Sequence, residues 1–467
     1  MVRRLSLVCV AVFSLLLTGQ SPTERPYEEP VDVVPPVEVA PPVTDSITAD
    51  TVFAESTPVA PESAAIPCDC GPSWCEKLMA SPTLTGDWGG LRTGLMEDGI
   101  IYQGYLTQFY QGVASGGSEQ QFKYGGKVDQ FFTFQGEKLG LWKGLLISMH
   151  AETRFGQDPN FDAVGLAPVN ANMLWPSLDQ STAITGFTIN QMLSEEWLVT
   201  VGKMNTLDLF NSLYPSNGRG IDGFMNTSTL FPLSAARPIN LSVNGVGITK
   251  LHEGQVQGAL SVVDPNNSST TAGVGNLFDS GAAIIAYWRH FTEFRGLPGS
   301  HAILGEYSSK SYTSVDRENF YFLPTVGIVA GKESGTWAIN YFGEQRLWQD
   351  ACNPKRNVGL FTSWGISDGN PNPVRWAGNV SVQGHGLIES RPADTAGVAY
   401  FYTSLSGEFK DLVSPLVDVR DVQGGEVYYN YAVTPWFNLT PDLQVIQPSV
   451  VGNNTAVVVG LRAKLTF

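Results

Sequence analysis

The sequence predicts an all-β fold, a transmembrane antiparallel β-barrel of about 16 strands entered through a short N-terminal helix. Three observations predict it. The stretch from Thr455 to Phe467 alternates with period two. Val457, Val459, Leu461, Ala463, Leu465 and Phe467 make one apolar face, and Ala456, Val458, Gly460, Arg462, Lys464 and Thr466 make a mixed one. Its length suits the about 9–11 residues with which a tilted strand crosses a bilayer. The same two-faced pattern recurs back to Ile100. Composition agrees: charged residues are 15% of the 467, below the roughly 25% of soluble domains, while the mean hydropathy is −0.03 because apolar and polar residues alternate and cancel. If the apolar face meets lipid, the sheet must close, since an open edge in hydrocarbon leaves main-chain groups unpaired.

Residues 1–21 read as a secretory signal: Arg3 and Arg4 precede an apolar run from Leu5 to Leu17, too short to span a bilayer as a helix. Residues 22–83 read as a disordered Pro- and Glu-rich spacer that ends in a cysteine cluster. Within it, 22–67 lacks apolar periodicity and is expected to act as a tether or to touch the cell wall or a periplasmic partner. In Cys68-Asp69-Cys70-Gly71-Pro72-Ser73-Trp74-Cys75, an exported protein favours a disulfide, for example Cys70 with Cys75, over a metal site, for which a fourth ligand is missing. The barrel domain is expected over 84–467. It opens with a short helix in which Leu91 and Leu95 share a face and Gly99 supplies the stop.

Strands follow at 100–114, around Val128–Phe134, at 143–155, 183–194, 196–204, 240–252, 255–264, 281–292, 301–308, 320–332, 335–349, 356–367, 374–387, 396–410, 424–434 and 438–447, and in the terminal stretch. Aromatics cluster at strand ends (Tyr400, Tyr402, Tyr428, Tyr431, Trp436), where interfacial girdles belong. Two connections, 156–182 and 205–240, are too long for hairpins and are expected to fold into the lumen or lie outside.

The formal charge is −16, and 1–67 contributes −6 of it through three basic and nine acidic residues. This acidic balance, with no basic patch, excludes nucleic acid as a partner. The polar parity of the strands names the lumen: His150, Glu152 and Arg154 on one strand, Ser242, Asn244, Lys250 and His252 on another, and Asn340, Glu344 and Arg346 on a third. Mixed acids, bases and amides suit polyols, whose hydroxyls donate and accept. Trp175, Tyr214 and Phe224 on the long connections could stack on a sugar face, and Arg219, Asp222 and Arg237 are expected at the narrowest point. Each of these charges reads equally as a salt bridge pinning a loop to the wall. No nucleophile–base pairing, zinc-protease signature or phosphate loop occurs, so neither enzyme activity, cofactor nor metal is expected.

The segment Leu84-Thr85-Gly86-Asp87-Trp88-Gly89-Gly90-Leu91-Arg92 resembles the opening motif of the OprB family of carbohydrate-selective porins. Further matches follow in order: Val201-Gly202-Lys203 with Asp208, the Gly386–Gly397 segment, and Glu426–Tyr429 through Thr434–Phe437 to Leu439–Gln444. The proline-rich segment and Cys68–Cys75 depart from the family pattern. The resemblance implies a 16-stranded outer-membrane barrel that passes mono- and oligosaccharides and similar small polar solutes by diffusion. Its expected partners are sugars in transit, outer-membrane lipid and, through Phe467, the barrel-assembly machinery, with the N-terminal arm in the periplasm. The alternative is a structural anchor whose arm contacts the envelope.

Overall fold

In a computed structural model, residues 74–160, 166–174, 182–215, 217, 220–323 and 327–467 are described. A first helix, Trp74–Ala80, and a second, Leu91–Glu97, lead into the barrel. The second ends as Gly99 predicts: Gly99 takes φ +91°, and a Cβ there would meet Lys138 Cβ at 2.7 Å. The wall strands are β1 (Ile100–Ser115), β2 (Phe122–Gln135), β3 (Leu145–Gly156), β4 (Thr182–Met192), β5 (Trp197–Asn205), β6 (Ser242–His252), β7 (Gln255–Val263), β8 (Ala283–Phe294) and β9 (Leu297–Thr313). A small hairpin, β10 (Phe320–Leu323) with β11 (Gly327–Ala330), interrupts them. The wall resumes with β12 (Lys332–Gln349), β13 (Asn357–Ser367), β14 (Val374–His385), β15 (Thr395–Leu405), β16 (Val422–Thr434), β17 (Phe437–Gln447) and β18 (Ala456–Thr466). The wall is a closed antiparallel ring. Sequence neighbours pair throughout, β12 pairs β9 across the hairpin, and β1 pairs β18 to close the ring.

Side-chain parity explains the closure. Along β18 the even residues Ala456, Val458, Arg462 and Lys464 are buried inside, while Val459 and Leu461 are exposed outside. The outer wall carries Tyr110, Tyr124, Trp337, Trp364 and Trp376 towards one rim and Trp142, Trp197, Phe294 and Trp348 towards the other, all exposed. No described helix is long and apolar enough to cross a membrane, which says nothing about crossing by strands. The two rims differ. Connections such as 193–196, 253–254 and 295–296 are tight at one rim, the turn end. Those at 157–181, 206–241, 264–282 and 314–331 are long at the other, the loop end.

Three local expectations are corrected. The stretch 320–332 is not a wall strand: β10 and β11 pair only with each other, and Asp316 caps a turn of 3-10 helix just before them. β15 stops at Leu405, because the Ser406 hydroxyl accepts the Phe409 amide and starts a helix at Gly407–Val413. Lys250, expected in the lumen, shares the outer face of β6 with the exposed Val246 and Ile248 and lies 5.9 Å from the ring of its cross-strand partner, the exposed Trp197, while the alternate position Leu251 is buried. The signal segment, the proline-rich spacer, Cys70, Trp175 and Arg219 lie outside the described residues, as does the side chain of Cys75.

The opening motif is a clasp on the seam. Arg92 donates to the Phe467 main-chain oxygen (2.8 Å), to Thr83 Oγ1 (2.9 Å) and to the Tyr102 carbonyl (3.4 Å). Leu84 N reaches Thr466 O at 2.8 Å, and Trp436 Nε1 donates to Leu78 O at 2.8 Å. Charge-assisted bonds of this kind contribute about 1.5–3 kcal/mol. Arg92→Ala is therefore expected to lower the urea midpoint of the detergent-folded protein. An unchanged midpoint would remove the clasp from the account.

Candidate functional site

Both long connections enter the barrel, and inward-facing polar side chains of the wall hold them. In the first, Asn160 and Asn170 bond reciprocally: Asn160 Nδ2 donates to Asn170 O (2.9 Å) and Asn170 N to Asn160 Oδ1 (2.7 Å). Gln111 on β1 and Gln444 on β17 both donate to the Val169 carbonyl, at 3.2 and 2.9 Å. Ala167, Val169, Ala171 and Met173 are fully buried there.

The second connection starts with a helix, Thr206–Leu213, capped by the Asn205 side chain, which accepts from the Leu207 and Asp208 amides. Tyr214 follows, buried between Phe342 and Phe361 with centroids at 5.1 and 5.4 Å, its hydroxyl 2.9 Å from that of Tyr287. Burial pushes the Tyr214 phenol well above its ordinary pKa. The chain then crosses to β18. Arg462 Nη1 donates to the carbonyls of Gly220 and Gly223, each at 2.9 Å, and Lys464 pairs with Asp222 at 2.5 Å. Glu426 on β16 accepts from the amides of Met225 and Asn226 and from Thr229 Oγ1 (2.8 Å). From there the segment returns along the wall, where Asn379 Nδ2 donates to Ser228 O (3.0 Å), Asn372 Nδ2 to Ser234 O (2.8 Å), and Ser234 Oγ to Asn340 Oδ1 (3.0 Å). The two connections brace each other through Ala171 N to Met225 O (2.8 Å) and Thr227 N to Pro168 O (3.0 Å).

His150 and Glu152 face inward and are 3% and 2% exposed. They belong to a packed ion network. Lys127 Nζ lies 2.5 Å from Glu152 and 3.4 Å from Asp129. The His150 ring nitrogens face Asp129 at 3.1 Å and Asp208 at 2.7 Å, and Asn205 Nδ2 donates to Glu152 at 3.2 Å. Asp129, His150 and Glu152 bring ligand-type atoms within 4.8 Å of one another. The Lys127 ammonium already occupies the space between the two carboxylates, so the cluster reads as a brace that ties the helix Thr206–Leu213 to β2 and β3. Arg154 pairs with Asp158 (3.3 Å) and donates to the Met173 carbonyl, again joining wall to loop.

The helix Thr206–Leu213 and Tyr214, packed on Phe342 and Phe361, form a partition, and below it, towards the turn end, the lumen opens into a polar cavity of about 430 Å3. Arg289, Glu344, Arg346, Asn357, Gln383 and His385 line it together with Phe291 and Phe361. Arg289 Nη2 donates to Leu213 O (2.7 Å) and to Glu344 (3.2 Å), so the cavity's roof and wall share one guanidinium. Arg346 bonds Asn357. Thus Glu344 and Arg346 meet as the strand parity predicts, whereas Asn340 lies apart, buried against Ser234 and Glu306. Asp222 is held by Lys464, and Arg237 is buried against Tyr312. Sequence reasoning did not single out Arg289, Glu426 or Arg462 as site residues. Inward parity marks each of them, but their partners lie on loops far away in sequence.

A family model described as "Carbohydrate-selective porin, OprB family" matches residues 119–467. That range begins in the connection between β1 and β2, so the opening motif precedes it. Porin B of Pseudomonas aeruginosa is 23% identical over 423 residues, which cover 83% of this chain and 92% of that protein. Among solved structures, the high-pH structure of Pseudomonas putida OprB superposes with a TM-score of 0.71 at 20% identity, covering 83% of this chain and 99% of that one. The low-pH structure of the same protein gives 0.53 at 16% identity, with the same coverages.

Proposed function

The chain belongs to the carbohydrate-selective porin family, OprB, and on that premise we propose that it is a passive outer-membrane channel through which mono- and oligosaccharides and similar small polar solutes diffuse. The observation that carries this reading is the pair of in-folded connections. Their described parts pack against the inner wall and leave, towards the turn end, a cavity lined by charged and amide side chains together with Phe291 and Phe361. Glu344, Arg346 and Arg289 offer a sugar both acceptors and donors there. Phe291 and Phe361 offer apolar faces for its C–H surface. Outer-membrane barrels keep short turns on the periplasmic side and long loops outside. The turn end is then the periplasmic exit. A periplasmic N-terminal arm is supported by the contact of Leu78, whose carbonyl accepts the Trp436 indole at this rim. The apolar outer rows would contact outer-membrane lipid, and Phe467 would serve the barrel-assembly machinery.

The test is swelling of liposomes that hold the purified protein, comparing glucose and a disaccharide with an amino acid of glucose's size. Glucose is expected to enter faster than the amino acid. Replacing both Glu344 and Arg346 by alanine is expected to narrow that difference while leaving barrel folding intact. Entry ranked by size alone would reduce the protein to a general pore. Discrimination that survives the double substitution would move solute recognition away from this cavity.

A further inference from the structure

Most cations that face the described part of the lumen have an oxygen partner: Lys127 with Glu152, Arg289 with Glu344, Lys464 with Asp222, and Arg462 with two carbonyls. Two do not. Arg237 follows a turn of 3-10 helix, Leu233–Ala236, in the in-folded connection and is 6% exposed. Its guanidinium lies 4.9 Å from the centroid of the Tyr312 ring, and among the described residues it makes no hydrogen bond and its buried Nε has no partner. Lys310 stands on β9 near the loop end, its ammonium 5.7 Å from the same ring and without a carboxylate partner among the described residues. Two acids have fields that reach this pair, Asp368 and Asp264, but neither lies within ion-pair distance of it. Asp264 accepts the amides of Asn266 (2.7 Å) and Phe278 (2.6 Å), and Asp368 accepts that of Trp337 (3.0 Å). Burial brings the Arg237 guanidinium down to about 10, still charged at neutral pH.

A buried guanidinium without an anion is costly, and proteins retain one where a ligand supplies the charge. The fork of Arg237 matches a carboxylate or phosphate in two-point fashion, with Lys310 as a second point charge. We propose that Arg237 and Lys310, flanking Tyr312, form a binding site on the loop-end side of the partition for the acidic group of an anionic sugar, a sugar carboxylate or a sugar phosphate. This rests on the carbohydrate-channel reading and adds a substrate class to it. The site lies on the entry side, opposite the cavity at Glu344 and Arg346, so an acidic sugar would be gathered before it meets the neutral-sugar contacts.

The experiment is titration calorimetry on the full chain folded in detergent, with glucuronate, glucose 6-phosphate and glucose as probes. In the unaltered protein both acidic sugars are expected to bind about tenfold more tightly than glucose, the factor that corresponds to ~1.4 kcal/mol. Arg237→Gln and Lys310→Gln should each cut that advantage and leave glucose binding unchanged. Folding is checked by heat-modified electrophoretic mobility. Should Arg237→Gln fail to fold, Lys310→Gln, on the wall, carries the test alone. Acidic sugars that bind no better than glucose, or an advantage that survives Lys310→Gln, would overturn the site. The two readings fail separately. Absence of sugar selectivity in the swelling assay with a retained calorimetric advantage would sink the channel reading and keep the anion site.

Discussion

Arg462→Ala is expected to give a folded barrel with a detached inner segment, read as higher single-channel conductance and as new protease cleavage between residues 217 and 230. Arg462 is fully buried, and its guanidinium serves the carbonyls of Gly220 and Gly223 and Thr440 Oγ1. Removing one partner of a buried charged arrangement costs about 3–5 kcal/mol. Here it also strands two carbonyls, each worth about 1–3 kcal/mol when left unsatisfied. The wall itself is held by main-chain ladders on both sides of β18. The loss therefore falls on the loop, and the Lys464–Asp222 pair beside it, with a half-exposed carboxylate, is too weak to compensate. Heat-modified mobility should stay that of a closed barrel. Unchanged conductance together with unchanged proteolysis would mean that the segment is held elsewhere, with Glu426 the first residue to examine.

Tyr214→Ala attacks the partition itself. Tyr214 is 1% exposed and packs against Phe210, Phe342 and Phe361. Truncating a buried aromatic of this size costs about 3–5 kcal/mol. The change also removes the hydroxyl partner of Tyr287 and the ring that lies 4.7 Å below the Arg289 guanidinium. Because the hole would open towards the cavity that Arg289 and Phe361 line, it is expected to flood and not to collapse. The expected readout is a higher ion conductance and faster disaccharide entry, with the glucose-to-amino-acid preference reduced. A channel that conducts less than the parent would show that the partition collapses on itself, contrary to this account.

How much of this was legible in the sequence depends on distance along the chain. The period-two parity of β3, β12 and β18 names inside and outside correctly, because a strand's two faces are written in adjacent residues. The helix stop at Gly99 and the existence of two long connections were also legible, but whether those connections fold inward or lie outside was left open. What parity does not write is the partner. Glu426 meets Asn226, and Arg462 meets Gly220, across most of the barrel domain. Nothing in Gly424-Gly425-Glu426-Val427 announces a loop amide. His150 and Glu152 read as solute contacts because polar residues on an inner face look alike, whether water or a helix carrying Asp208 lies against them. The missed helix at Gly407–Val413 follows an apolar strand without a break in hydrophobicity, and only the Ser406 cap marks the change.

The seam between β1 and β18 has a kinetic meaning. Nearly every other wall pair joins strands that are consecutive in the chain, so it closes a short loop at small entropic cost. The seam pairs Tyr105 with Thr466 and can form only after the intervening strands are in place. Hairpins can therefore accumulate one beside the next, while the ring stays open until its final event. The Arg92 clasp acts at that event, by holding the β18 end beside β1 and raising the local concentration of one edge for the other. Loss of the clasp should then slow refolding while leaving unfolding nearly unchanged, the pattern of a contact already made in the transition state.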